Sequence, residues 1–380
     1  MIKHIRIQNY KSLGDVAVDL DPVTVLIGKS GTGKSNFVDA IRFLRDYLRD
    51  SQTVDHTRGG WQMIRPAAIQ PGSLLFHVRF AIDQIEGDFE YHLKLKWGEP
   101  AGAASFFGEG LFLGSQCLFA QENRKWTTPP TVLPLPEPGS LAINRISGVT
   151  EISVAYVALT EGIGCYDFPN DVLKKVGDSS KSPGLADNGA NFLQVFTAIE
   201  NNLHAMKSRR AIEESLGALN RSVKSLTLNR PQQTTISVGH DVNGQRLSFL
   251  LGQESEGLRR FLAHLLALYQ SPPKQLLVFE EPEKGIYPAA LAHLAGEFEI
   301  CPRQRRGHVL LTTHSPEMLN YFKPEQFRVV EIEDYRTKIG RLATDQLDSI
   351  REKLILPGEI FTVNHPRLAE APPAAEPVPP

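Results

Sequence analysis

An α/β fold with a parallel sheet at its centre is what the sequence predicts, and three observations predict it. The short apolar run 23–27 ends at a glycine and leads directly into a segment whose apolar residues recur at helical spacing. Two further runs, 275–279 and 309–313, carry little polar alternation, as strands covered on both faces do. Between these ends, residues 89–97 alternate strictly, which marks an antiparallel sheet with one solvated face.

The elements follow in order. Ile2, Ile5 and Ile7 begin a strand, 16–20 form a second and 23–27 a third. From Lys34 onward Phe37, Ile41, Leu44 and Leu48 lie on one helical face, with arginines and aspartates on the others, so this helix packs on a sheet. Phe89, Tyr91, Leu93, Leu95 and Trp97 alternate with Glu90, His92, Lys94 and Lys96 after a turn at 86–88. The proline-rich stretch 128–139 is expected as an exposed connection. Residues 152–158 read as a strand, and Phe192, Phe196, Ile199, Leu203 and Met206 as a helix that runs on, broken, to about Ser225. Residues 258–269 are nearly all apolar and suit a buried helix.

The expected organisation is a first part of the head at 1–54, an antiparallel β-layer at 55–150, a helical lobe at 151–240, a second part of the head at 241–362 and a disordered proline-rich tail at 363–380. The helical lobe is too short for a long coiled-coil arm.

Composition narrows the function classes. The chain has 380 residues, 41 basic and 43 acidic, and a net charge of −2, which excludes coating of nucleic acid through bulk charge. Hydrophobic residues at 41% exclude wholesale disorder. Cys117, Cys165 and Cys301 are widely spaced with no CxxC pair, which argues against a disulfide framework or a cysteine zinc site. The N-terminus alternates polar and apolar residues, and no run of about 18 apolar residues occurs, so a cytoplasmic protein without a membrane partner is expected.

The strongest chemical signal is Gly28-Lys29-Ser30-Gly31-Thr32-Gly33-Lys34-Ser35, which fits GxxxxGK(S/T) and sits between an apolar strand and an amphipathic helix. Glycines let backbone N–H groups curl around phosphates, the helix N-terminus adds partial positive charge, Lys34 neutralises phosphate oxygens and Ser35 can ligate Mg²⁺. Asn36 continues the loop into the helix. ATP and Mg²⁺ are the expected ligands. Glu280 and Glu281 close the strand 275–279 at its carboxyl end, where open α/β sheets place ligands. Glu280 is expected to hold Mg²⁺, and Glu281 to polarise the attacking water.

Spacing separates phosphate-loop classes. Glu280 lies 246 residues after Lys34, too far for compact AAA+ or RecA-like cores. Glu254-Ser255-Glu256-Gly257 precedes a buried helix ahead of the acidic strand, and Thr312-Thr313-His314-Ser315 follows it. This order points to an ABC-type head, in which Ser255, Glu256 and Gly257 reach the γ-phosphate held by a second subunit and His314 contacts it from the same subunit.

The residues 9–13 and 23–44, together with 185–193, 279–288 and 310–319, resemble the RecF/OLD-like branch of ABC ATPases related to SMC proteins. The resemblance touches most of residues 1 to about 360 and implies an ATP-sandwich homodimer. It also implies that Lys11 approaches the nucleotide. Lys29 and Ser30 stand where relatives usually carry Pro and Asn, Glu280 where many carry Asp, and Tyr287 where His is frequent. The signature serine lies in Glu-Ser-Glu-Gly in place of a fuller Leu-Ser-Gly-Gly. No glutamine is assigned to Mg²⁺, since Gln62, Gln70 and Gln84 all fall in the relevant region.

OLD-like relatives often carry a C-terminal TOPRIM nuclease, whereas about 65 residues follow His314 here. The leading expectation is therefore an ATPase that drives a separately encoded effector, resembling two-component bacterial phage-defence systems. The alternatives are a RecF-like DNA clamp and a nucleotide-gated scaffold. For DNA the candidate surface is the helical lobe, where Lys207, Arg209, Arg210, Arg221, Lys224 and Arg230 face only Glu213 and Glu214.

Overall fold

A computed structural model describes residues 1–380 apart from 53, 55–56, 67–71, 98–103, 132–135, 175–183, 203–205, 230–233 and 370–380. Its first part is built from β1 (Ile2–Tyr10), β2 (Leu13–Asp19) and β3 (Val23–Ile27), then α1 (Lys34–Arg49). β4 (Ser73–Ala81), β5 (Asp88–Trp97), β6 (Ala104–Leu113), β7 (Gln116–Glu122) and β8 (Lys125–Thr128) follow. The middle holds α2 (Thr150–Thr160), β9 (Ile163–Tyr166), α3 (Asn170–Leu173), α4 (Phe192–Asn201) and α5 (Met206–Leu219), then β10 (Val223–Asn229), β11 (Thr235–Val242) and β12 (Gln245–Leu250). The last part runs α6 (Glu256–Tyr269), β13 (Leu276–Glu280), α7 (Pro288–Arg303), β14 (His308–Thr312), α8 (Pro316–Leu319), β15 (Phe327–Glu333), β16 (Arg336–Arg341) and α9 (Thr344–Arg351).

Among the described residues one 13-stranded sheet runs β8-β7-β6-β5-β4-β1-β2-β16-β15-β3-β14-β13-β9. β9, β13, β14, β3 and β15 are parallel neighbours, whereas β1, β2 and β4 to β8 pair antiparallel. The antiparallel β-layer is thus continuous with the head, joined edge to edge through β1 and β4. It is an α/β fold, and the described residues hold no long coiled coil.

Both faces of the parallel strands are covered, which explains their unbroken apolar runs. Val23, Val25 and Ile27 face one core with Leu277, Phe279 and α6, while Leu26, Leu276 and Val278 face the other with α1 and α2. In β5, by contrast, Phe89, Tyr91, Leu93 and Leu95 are fully buried and the residues between them are not, the burial pattern of one solvated face.

Four expectations are corrected. Residues 152–158 are not a strand but part of α2, whose Ile152, Ala155 and Leu159 are buried at helical spacing. A short apolar run rich in β-branched residues has no period of its own that separates the two. The helical stretch ends at Leu219, short of Ser225, because Asn220 accepts from Ser222 N–H in a turn that opens β10. The lobe at 151–240 is consequently mixed: β10 and β11, with β12, form a three-stranded antiparallel sheet beside its helices. Finally, residues 367–369 are not part of a free tail, since Ala369 N–H bonds Arg341 O at 2.9 Å and Leu368 bridges Leu342. Residues 370–380, 132–135, Leu203, Gln70 and Arg230 lie outside the described residues. On the described flanks of 132–135, Trp126 Nε1 donates to Pro136 O at 3.1 Å, so the proline-rich connection is tied back to the sheet there.

Candidate active site

The phosphate loop turns because Gly28, Gly31 and Gly33 adopt positive φ, at 155°, 79° and 107°. A Cβ at Gly33 would stand 2.1 Å from Thr337 Oγ1, and one at Gly28 would stand 2.2 Å from Val330 O, so neighbouring strands press on the loop's back. A Cβ at Gly31 would meet nothing within 4 Å, so the loop is open on that side. Gly33 caps α1 with no side chain, and the first turn holds no acid. The N–H groups of the first turn are left for an anion, and the helix dipole favours one there.

Lys34 is buried at 5% exposure and its Nζ donates to Gly28 O at 2.7 Å and Lys29 O at 2.8 Å, folding the loop over its own cation. Burial pushes the ammonium down to about 8, opposed by the Glu281 carboxylate. Thr32 Oγ1 donates to Lys29 O at 2.9 Å, and Thr337 Oγ1 donates to Thr32 O at 2.8 Å. Ser12 joins Thr337 at 2.7 Å and accepts from Asn36 Nδ2 at 2.8 Å.

The parallel register brings the remaining groups to the same edge. β14 lies between β3 and β13, with Thr312 opposite both Leu26 and Glu280. The loop, the two glutamates and His314 therefore leave the carboxyl ends of three adjacent strands, the ligand-binding edge of an open α/β sheet. Ser35 lies beside Glu280, whose carboxyl is pushed up by burial and drawn back by Arg42. The Arg42 guanidinium donates to Glu280 Oε1 at 3.0 Å. The exposed Ser35 hydroxyl and the half-buried Glu280 carboxylate at the loop's mouth are a donor set of hard oxygens, which fits Mg²⁺.

Glu281 has φ 45°, a conformation held by its N–H bonding Thr312 O at 3.0 Å. Its carboxylate pairs with Lys284 at 3.3 Å. The His314 imidazole is pushed down by burial and then by the Lys34 charge, with Glu281 acting against this. Lys34, Glu281 and His314 thus lie within electrostatic reach of one another.

Ser255, Glu256 and Gly257 lie elsewhere. Ser255 caps α6 by accepting from Leu258 N–H at 3.3 Å, Glu256 binds Arg260 at 2.8 Å and Asn170 at 3.0 Å, and Gly257 is pressed against Gly285 O. None of these contacts involves the phosphate loop. Tyr287, beside them, is 74% exposed. Lys11 pairs with Asp39 at 2.7 Å, where Arg58 and Tyr10 also bind that carboxylate, at the rim of a cavity of about 440 Å³. Gln62 lies in a short 3-10 turn and Gln84 in a tight turn of positive φ.

Two profiles of P-loop ATPase domains match the sequence. One, described as "AAA domain, putative AbiEii toxin, Type IV TA system", matches residues 158–320, and the other, "AAA ATPase domain", residues 1–78. The chain carries a P-loop ATPase domain. Among solved structures it is similar to an SMC head bound to the C-terminal winged-helix domain of ScpA, at 14% identity and TM-score 0.59, over 91% of this chain and 99% of that one. It is also similar to an SMC head with an extended coiled coil bound to the C-terminal domain of ScpA, derived from Pyrococcus furiosus, at 14% identity and TM-score 0.51, over 93% and 99%. Likeness at this identity concerns the fold of the head. No curated protein matches the sequence. No helix among the described residues is long and apolar enough to cross a membrane.

Several site residues escape sequence reasoning. Glu283 accepts from Thr313 Oγ1 at 2.6 Å and from His314 N–H at 3.2 Å, yet it stands in the quoted 279–288 segment without a distinguishing signal. Asp187 accepts from both terminal nitrogens of Arg45 at 2.7 Å and pairs with Arg42 at 3.3 Å, which gives the 185–193 segment a structural purpose. Thr337 backs the phosphate loop from more than 300 positions away, and nothing in its own neighbourhood marks it.

Proposed function

We propose that this chain is a Mg-ATP-dependent switch ATPase that closes as a homodimer, hydrolyses ATP to open, and regulates a separately encoded effector of a bacterial anti-phage defence system. The observation that carries the enzymatic part is the convergence of Lys34, the Ser35–Glu280 pair, Glu281 and His314 at the ends of three adjacent strands.

In this reading the open side of the loop and the uncapped N–H groups of α1 take the β- and γ-phosphates, and Lys34 exchanges its carbonyl partners for phosphate oxygens. Ser35 and Glu280 would hold Mg²⁺, which would supply charge neutralisation on the phosphates. Glu281 accepts a proton from the attacking water as its oxygen bonds to the γ-phosphorus and the bond from that phosphorus to the β–γ bridging oxygen breaks, releasing ADP and phosphate, and His314 donates a hydrogen bond to the γ-phosphate. Lys11 stays with Asp39 unless the nucleotide draws it away. Ser255, Glu256 and Gly257 complete the site of a second copy, a role supported by a capped helix start beside an exposed Tyr287 and free of contacts with its own loop.

The resemblance to the RecF/OLD-like branch and the toxin–antitoxin wording of the matched family support the defence role. Light scattering of wild type and Glu281→Gln with and without Mg-ATP, alongside phosphate release, tests the whole reading. A mass increase held by Glu281→Gln, with phosphate released only by wild type, is the expected result. No mass change and no phosphate release would leave a scaffold and remove the catalytic roles. Purification from cells expressing the neighbouring genes, with no co-purifying chain, would remove the effector.

The second reading is a RecF-like clamp on DNA. Arg209 is held by Glu200 at 3.1 Å and Glu213 at 3.6 Å, and Arg210 by Glu214 at 2.8 Å, so these two cations are locally neutralised. Lys207, Arg221 and Lys224 remain exposed and are the observation in its favour. ATP-dependent DNA retention with a salt slope reduced by Arg221→Ala and Lys224→Ala would establish it.

A further inference from the structure

The antiparallel half of the sheet carries a constellation that nucleotide chemistry does not use. On its solvated face His77 of β4 stands directly opposite His92 of β5, and Glu90 stands two residues before His92 on the same face. The two imidazole rings lie 4.3 Å apart between centroids. The Nε2 atoms of both are buried and make no hydrogen bond. Both face the same carboxylate oxygen, Glu90 Oε2, at 3.5 Å from His77 and 3.8 Å from His92. One ligand atom from each of the three residues falls within 4.8 Å of the others.

A pair of buried ring nitrogens aimed at one carboxylate oxygen is costly unless something between them satisfies it. Neighbouring charges do not. Arg79, which stands across from Glu90 in the register, leans instead to Asp19 at 3.8 Å. His4 is held by Asp19 at 2.7 Å, with its ring 5.8 Å from that of His77.

We propose that His77, Glu90 and His92 form a mononuclear site for a divalent transition metal of the Zn²⁺ class, bound through the two Nε2 atoms and one carboxylate oxygen with a fourth position open to solvent. Tetrahedral Zn²⁺ with bonds of about 2.0–2.2 Å separates its ligand atoms by roughly 3.3–3.6 Å. The two observed separations from Glu90 Oε2 already lie close to that range, and a small approach of the rings completes it. Two imidazoles and one carboxylate suit Zn²⁺ and neighbouring metals, and disfavour Mg²⁺ and Ca²⁺, which prefer oxygen. Strand geometry provides the preorganisation: a cross-strand pair and an i, i+2 pair are fixed by hydrogen bonding of the ladder.

Untagged, chelator-treated full-length protein titrated with Co²⁺ and then Zn²⁺ tests this. One equivalent of Co²⁺ should give visible d–d absorption that Zn²⁺ removes, and Zn²⁺ should raise the Tm. His77→Gln and His92→Gln should each weaken binding at least about tenfold. The double variant should lose the absorption while metal-free Tm and ATP-analogue binding stay near wild type. Absence of the absorption in wild type overturns the proposal whatever the variants do. Absorption that persists in the double variant places the metal elsewhere and overturns it equally. If the double variant does not fold, Glu90→Gln, which keeps both rings, decides through the same titration.

Discussion

Glu283 receives the Thr313 hydroxyl at 2.6 Å and the His314 amide at 3.2 Å through one carboxylate oxygen, while its other oxygen is buried without a partner. This carboxylate couples the acidic loop after β13 to the histidine loop after β14, so the positions of Glu281 and His314 are set together. Burial holds the Glu283 carboxyl above its usual range, and the Thr313 hydrogen bond opposes that shift. Glu283 is a positioning residue: Glu283→Ala should lower kcat on the order of tenfold, the value of one or two lost hydrogen bonds, with KM for ATP little changed. Glu283→Gln, which can still accept, should keep most of the activity. A fall in KM-limited binding of equal size would instead mean that the nucleotide pocket itself has collapsed.

Nucleotide binding should carry a proton. The Lys34 ammonium is depressed to about 8 by burial, and phosphate contact raises it toward its ordinary value, so the bound form holds the proton more tightly than the free form. Affinity is then full below pH 8 and falls as pH rises above it, by up to about tenfold per unit until the bound-state value is reached. Calorimetry at pH 8 in two buffers of different ionisation enthalpy should register net proton uptake on ATP binding, and Lys34→Ala should abolish binding.

Gly31 and Gly33 of the loop differ in what surrounds them. Gly33→Ala drives a methyl group into Thr337 Oγ1, 2.1 Å away, at a left-handed φ, and should abolish binding of a fluorescent ATP analogue. Gly31→Ala meets open space and suffers only the conformational penalty, about 1–2 kcal/mol, so binding should weaken by roughly tenfold and survive. Equal losses in the two variants would contradict this geometry.

Arg45 is buried and held by both oxygens of Asp187. Asp187→Ala leaves that guanidinium without its main partner and should lower unfolding stability by about 3 kcal/mol in a denaturant titration. Arg210→Ala removes an exposed pair and should change stability by less than about 0.5 kcal/mol.

How much was legible follows from where each signal is stored. The phosphate loop, the two glutamates and the buried strands are written in contiguous residues whose spacing has a direct physical cause, so they are readable without a structure. Residues 152–158 do not form the expected strand, because a seven-residue stretch with a single polar residue has no distinguishing period, and packing against α1 makes it helical. The three-stranded sheet from 223 to 250 has no counterpart among the expectations: β10 and β11 begin inside the expected helical lobe, and β12, in the second part of the head, is mostly exposed and offers no buried alternation.

By itself the sequence determined which groups can meet a phosphate, since loop glycines, Lys34 and the carboxylates act through local geometry and charge. Only the tertiary structure decided which distant groups support them. Thr337 behind the loop, Glu283 beneath the histidine and His77 opposite His92 are adjacent because strand order and register place them so, and neither quantity is encoded in any single segment. Register depends on the burial of both partner strands at once, which is why the pairing emerges only when the sheet is assembled.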